Sequence, residues 1–190
     1  MHTRLWALLP FLLCAACISV GPGGEPAQVR WFRPELDNWS NTSSQQFPIP
    51  RNITIRADSH LGSKIAWRKD RTEYGFYELW RWTNDPVEFL EAATRLWPVP
   101  PSPSDQRTLE LTLEAFEEDW GEDGRGAKVQ IHAVLHLPGS GERAGFNSQS
   151  RLPVKGEGPI PLVQSLNQAL QESLIQAMVW AHQHREPSMP

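Results

Sequence analysis

His132 and His136 stand four residues apart in a stretch where apolar and polar side chains alternate. On a strand, at about 3.3 Å per residue, they share a face roughly 13 Å apart, too far for both to ligate one ion unaided. A zinc-protease helix needs a glutamate after the first histidine, and His132-Ala133-Val134-Leu135-His136 has none. Both are expected to be surface histidines, as are His182 and His184 near the C-terminus. Six acids fall between Glu114 and Asp123, without the alternating ligands, central glycine and distant glutamate of a calcium loop. A solvated hairpin tip is the expectation there. Gly139 to Gly145 is glycine-rich but joins two strand patterns instead of opening a helix, so it reads as a turn and not a nucleotide cradle. Neither Gly-x-Ser-x-Gly nor Ser-x-x-Lys occurs, so nucleophilic catalysis has no visible home. A non-enzyme without cofactor or metal is expected; a degenerate hydrolase would need converging titratable groups that the sequence does not assemble.

The remaining chemistry is covalent and lies at the start. Arg4 precedes an apolar run of nine residues, Leu5 to Leu13, the length of a signal h-region and too short to span a bilayer. Cys14-Ala15-Ala16-Cys17 follows, and two small residues before a cysteine resemble the bacterial lipobox, although Cys14 stands where leucine is usual. Two readings compete. A secretory peptidase cuts near Ala15-Ala16 and leaves a free thiol, or Cys17 is acylated and becomes the first residue of the mature chain. The second disposes of a thiol that would be a liability in an oxidising compartment. Two or three acyl chains anchor stably where one holds marginally, at about 0.8 kcal/mol per buried CH₂. Ile18, not aspartate, follows the cysteine, which favours the periplasmic face of the outer membrane. The triplets at Asn38, Asn41 and Asn52 would suit a secreted glycoprotein instead.

The 190 residues suffice for one domain, and the formal net charge of −4 without a basic cluster argues against nucleic-acid binding. The expected organisation is a signal segment over 1–16, Cys17 and a tether over 17–27, one domain over 28–184, and a disordered tail over 185–190. Ile53, Ile55 and Ala57 alternate with polar residues, as do Leu109, Leu111, Leu113 and Ala115. Val129, Ile131, Ala133, Leu135 and Leu137 continue the period of two, the mark of a sheet with one buried face. The turns at Gly121–Gly126 and Pro138–Gly141 predict an antiparallel meander. Asp85-Pro86-Val87-Glu88 opens a helix, with Asp85 as N-cap and Glu88 reaching back, and Pro98 stops it. A second helix is expected from about Pro161 to His184, with Leu162, Leu166, Leu170, Leu174 and Met178 on its buried stripe. The fold class is α+β: a mixed, largely antiparallel sheet of about five or six strands with two helices on one face.

Between these elements lie Ile65-Ala66-Trp67-Arg68, then Tyr74-Gly75-Phe76-Tyr77-Glu78-Leu79-Trp80-Arg81-Trp82, then Asp85-Pro86. This order resembles the ABC-type transport auxiliary lipoprotein family, of the paraquat-inducible protein C kind. Members show an arginine ending one strand, an aromatic strand ending in Arg/His-Trp, and a proline opening a helix. Arg68, Tyr77, Trp80, Arg81, Trp82 and Pro86 form the matching signature in this chain. The resemblance implies a lipoprotein without catalytic residues that serves an intermembrane lipid transporter. Its partners would be an MCE-domain protein and an ABC transporter or related membrane component.

Strand alternation would put Phe76, Trp80 and Trp82 on one face and Tyr77 and Leu79 on the other, with Arg81 placed to stack on a tryptophan. Core packing and contact with a partner or lipid are both open for this strand. From Leu162 to His184 the only formal charge is Glu172. Exposed helix faces usually carry Lys and Glu, whereas interface cores are depleted of them. Gln168, Gln171 and Ile175 are therefore expected on a face that meets a partner or a second copy of the chain. The rival function is a periplasmic carbohydrate- or lipid-binding module whose exposed rings, among nine tryptophans, stack on ligand.

Overall fold

A computed structural model describes residues 27–35 and 47–184, apart from 71, 102 and 140. The expected acylation site Cys17, the signal segment, Asn38, Asn41 and the tail lie outside the described residues. Seven strands run β1 Arg30–Phe32, β2 Asn52–Ala57, β3 Lys64–Arg68, β4 Tyr74–Trp82, β5 Thr108–Gly121, β6 Gly124–His136 and β7 Arg143–Pro153. The helices are α1, Pro86–Arg95, and α2, Pro159–Gln183. The class is α+β, with a mixed, open sheet in the order β1-β4-β3-β5-β6-β7 and β2 also paired to β5.

The meander β5-β6-β7 forms as expected, with its two long antiparallel ladders. β5 is long enough for two partners on its other edge. Its first half pairs in parallel with β2, Ile53 beside Leu109, and its second half with β3, Ala66 beside Glu117. β2 and β3 are thus one edge interrupted by an excursion, anchored where Asp58 N–H donates to Leu113 O at 3.0 Å. β1 pairs in parallel with β4.

Both helices cover one face. Leu109, Leu111 and Leu113 meet Leu135, Ala133 and Ile131 in register, and all are fully buried under Leu162, Leu166, Leu170 and Leu174 of α2. α2 begins two residues earlier than expected, at Pro159, which suits the first helical turn because its missing N–H would be unpartnered there. Under α1, Trp82, Phe89 and Phe116 form one aromatic cluster, with Trp82 and Phe116 ring centroids 5.0 Å apart.

Four expectations are corrected. Asp85 makes no side-chain cap; Asn84 Nδ2 binds Glu88 Oε2 at 2.8 Å, so Glu88 is held by its neighbour and not by the box. The register slips by one residue between Leu113 and Ala115, a bulge that puts Phe116 on the helix side and leaves Ala115 on the other. A second irregularity lets β3 advance from Lys64 to Ala66 while β4 runs from Arg81 to Phe76. Alternation in β4 therefore breaks: Tyr77 stacks on Trp80 at 3.9 Å, while Phe76 and Leu79 share the opposite, uncovered face. Arg81 does not stack on a tryptophan; its Nη1 donates to Tyr77 O at 3.0 Å, across the irregular segment.

Candidate functional site

The signature residues come together around β4. Pro86 occupies the first turn of α1 and is buried, and Trp82 is in the core, its N–H held by Ser63 O at 2.6 Å. Tyr77, stacked on Trp80, donates its hydroxyl to Glu118 on β5. Arg68 ends β3 and binds Glu117 through Nε at 2.6 Å and Nη2 at 3.2 Å, with its guanidinium 4.9 Å from the Tyr74 ring centroid.

The acidic segment is not a solvated tip. Only Glu122 and Asp123 sit in the exposed turn, whereas Glu117 and Glu118 are both 0% exposed. Three consecutive acids are each met by a different arginine: Glu117 by Arg68, Glu118 by Arg125, and Asp119 by Arg151 at 2.5 Å. The bulge decides their faces. Glu118 points toward the helices, where Arg125 also reaches Gly156 O at 2.6 Å and Gly158 O at 2.7 Å, just ahead of α2. Glu117 and Asp119 point to the uncovered side. A buried carboxylate needs a partner of this kind, because desolvation otherwise outweighs packing. The partners stand on β3, β6 and β7, and nothing in the sequence paired them with these acids.

Electrostatics follow from this crowding. Burial, then the hydrogen bond to Glu118 and its charge, push the Tyr77 hydroxyl well above the usual tyrosine range. Tyr74 shifts upward through burial and the charge of Glu117. The bond to Glu117 raises Arg68 further, against the opposing effect of burial. Arg107, itself buried, binds Asp105 at 2.5 Å and reaches Ala181 O at 2.7 Å and His184 O at 3.3 Å, the far end of α2.

On α2, Gln168 is exposed and donates to Glu172 Oε1 at 3.0 Å. The other oxygen of Glu172 accepts from Ser150 Oγ of β7 at 2.6 Å. Gln171 and Ile175 are half-buried, and Ile175 packs on the core. His132 Nδ1 lies 2.5 Å from Asn147 Oδ1, and His136 Nε2 lies 3.5 Å from Glu110 Oε1, each on the uncovered face. Among the described residues no group of three or more His, Cys, Asp or Glu could hold a metal, and no helix is long and apolar enough to cross a membrane. Two described tryptophans are exposed, Trp31 on the edge strand and Trp120 near the β5–β6 turn. They lie on opposite faces of the sheet and form no common platform. A cleft of about 710 Å³ lies between β2, α1 and the proline connector, lined by Ile53, Ile55, Arg51, Trp97 and Val99 among others.

No family model matches the chain, and no curated protein does. The fold is that of known structures. A Xanthomonas campestris protein of the DUF330 family superposes with TM-score 0.57 at 16% identity, over 74% of this chain and 91% of that one. An uncharacterized protein of known crystal structure gives TM-score 0.50 at 19% identity, over 70% and 94%. PelC from Paraburkholderia phytofirmans, solved as a dodecamer, reaches TM-score 0.32 at 12% identity over 71% and 94%, too distant to carry an argument about assembly.

Proposed function

We propose that the chain is a membrane-anchored lipoprotein that serves, without catalysis, as an accessory of an ABC/MCE-type intermembrane lipid transport system. It would be fastened through Cys17 at the periplasmic face of the outer membrane. The observation that carries this reading is the contact set around β4. Of the residues picked out by resemblance to ABC-transport auxiliary lipoproteins, Tyr77, Trp80 and Arg81 contact one another, Arg68 and Tyr77 bind the adjacent acids Glu117 and Glu118, and Trp82 and Pro86 are buried at the junction with α1. A non-catalytic role is supported by the acids at 117, 118 and 119, each of which is engaged by an arginine. The Gly-rich stretch from Gly21 to Gly24 suits a tether between anchor and body.

The test is the mass of the mature protein from the envelope, followed by cross-linking and identification of its neighbours. Acyl chains on Cys17 and an MCE-domain protein among the products are expected. An unmodified, freely soluble chain overturns the reading, and so does an acylated chain whose neighbours include no transport component. The cleft favours one second reading, a lipid-binding module, since its volume suits a small ligand. Its tryptophan, Trp97, is largely buried with Nε1 on Phe47 O at 3.2 Å. Protection of tryptophan fluorescence from acrylamide by added phospholipid would support that alternative.

A further inference from the structure

Seven large apolar side chains are exposed among the described residues: Val29, Trp31, Phe76, Leu79, Leu96, Trp120 and Ile160. Four of them share one corner of the sheet. Trp31 pairs in register with Arg81, and one step of two residues back along each parallel strand come Val29 and Leu79. Paired residues of neighbouring strands share a face, about 4.8 Å apart, and residues two apart on a strand share it too. Phe76 joins the same face through its pairing with Ala66, two residues from Lys64, which pairs with Arg81. Phe32 and Trp82 pair on the opposite side, Trp82 inside the core and Phe32 packed against it. This corner is therefore the uncovered face of the edge strand, with Val29 47%, Trp31 60%, Leu79 37% and Phe76 36% exposed.

We infer that this corner lies on the lipid surface to which Cys17 is fastened, an inference that rests on the acylation proposed above. Cys17 and Val29 are separated by 12 residues of sequence. Fully extended, such a segment reaches at most roughly 40 Å, and as a glycine-rich coil it averages about 20 Å. β1 is thus the first element past the anchor and lies within the tether's reach of the bilayer. A tryptophan with exposed aliphatic neighbours fits the interfacial zone, where an amphipathic ring finds both apolar and wet surroundings. Arg33, exposed and two residues beyond Trp31, would meet anionic headgroups, whereas Arg30 turns to the other face with its guanidinium 5.4 Å from the Phe32 ring centroid. The patch and tether together give the body a fixed orientation, with the uncovered face of the edge strand toward lipid and the helices on the opposite face of the sheet.

The test uses the full acylated chain in vesicles of phosphatidylethanolamine and phosphatidylglycerol doped with phosphatidylcholine brominated along its acyl chains. The contribution of Trp31 is the difference between wild type and Trp31→Phe, a substitution at an exposed position that spares the core. Bromolipid should quench the wild type by an increment that Trp31→Phe loses and Leu79→Ser reduces. If mass confirms acylated Cys17 but both proteins are quenched equally, the corner stands in water and the inference fails while the anchor survives. Shielding of Trp31 from acrylamide without bromolipid quenching means a protein partner or second copy covers it, which also overturns the inference. An unmodified Cys17 removes both.

Discussion

Arg68, the last residue of β3, holds Glu117 of β5 through two bonds, 2.6 Å and 3.2 Å long, across a parallel seam only three residue pairs wide. So short a ladder contributes few backbone bonds, and the ion pair fastens what they do not. The Glu117 side chain is fully buried while that of Arg68 keeps 30% of its surface, so the two partners are not equivalent. Losing the arginine strands a buried carboxylate; losing both charges does not.

Arg68→Ala should accordingly cost about 3 kcal/mol in urea unfolding, the lower end for a broken buried pair. The double variant Arg68→Met with Glu117→Leu should recover most of that loss. Equal destabilisation by single and double variants would mean that the pair contributes packing alone.

Tyr77 links folding to alkaline pH. Its hydroxyl is raised from the ordinary 10.0 in the folded state, first by burial and then by Glu118. A raised folded pKa gives stability that is complete below the unfolded pKa and is lost as pH climbs beyond it. Tyr74 shifts in the same direction. The melting temperature, followed by circular dichroism, should fall above about pH 10, less steeply in Tyr77→Phe. Superimposable profiles would show that the Tyr77 proton is not coupled to folding.

Gly75 lies beneath the Trp67 indole, and a Cβ at position 75 would stand 2.6 Å from Cζ2 of that ring. Gly75→Ala must displace the indole and should cost roughly 1–3 kcal/mol, as overpacking does. In Trp67→Ala the same substitution should be nearly silent, and a double-mutant cycle measures that coupling.

Arg107 caps the last turn of α2 with bonds to Ala181 O and His184 O. Arg107→Ala exposes carbonyls that the helix cannot satisfy itself and should lower stability by about 2 kcal/mol. Hydrogen exchange should quicken first near the C-terminal end of α2; uniform quickening would argue against a local cap.

The outward face of α2 is tested by added charge. Gln168 is a poor site, because a glutamate there would stand one turn from Glu172, its present partner. Gln164→Glu with Gln171→Glu avoids that conflict, since neither position is three or four residues from Glu172, and should loosen any assembly while leaving the melting temperature nearly unchanged. A monomeric mass by light scattering before and after the substitutions would remove self-association through this helix.

Local periodicity determined much of the architecture. Leu109 to Leu113, Val129 to Leu135 and the stripe Leu162 to Met178 each bury the face that their spacing marks, because strand and helix periods fix side-chain direction within one element. The class, the meander and both helices were legible for that reason. What the sequence could not show was where a period breaks. One extra residue near Glu114 exchanges the faces of everything after it, so Phe116 joins the cluster under the helices, Ala115 stays buried but turns to the opposite face, and Glu118 turns toward Arg125. The irregularity in β4 likewise brings Tyr77 onto Trp80 and leaves Phe76 and Leu79 on the uncovered side. A bulge is set by the pairing of two strands distant in sequence, and an ion pair such as Arg68 with Glu117 spans 49 residues. Such features answer to register and burial together, and those exist only once the sheet is assembled.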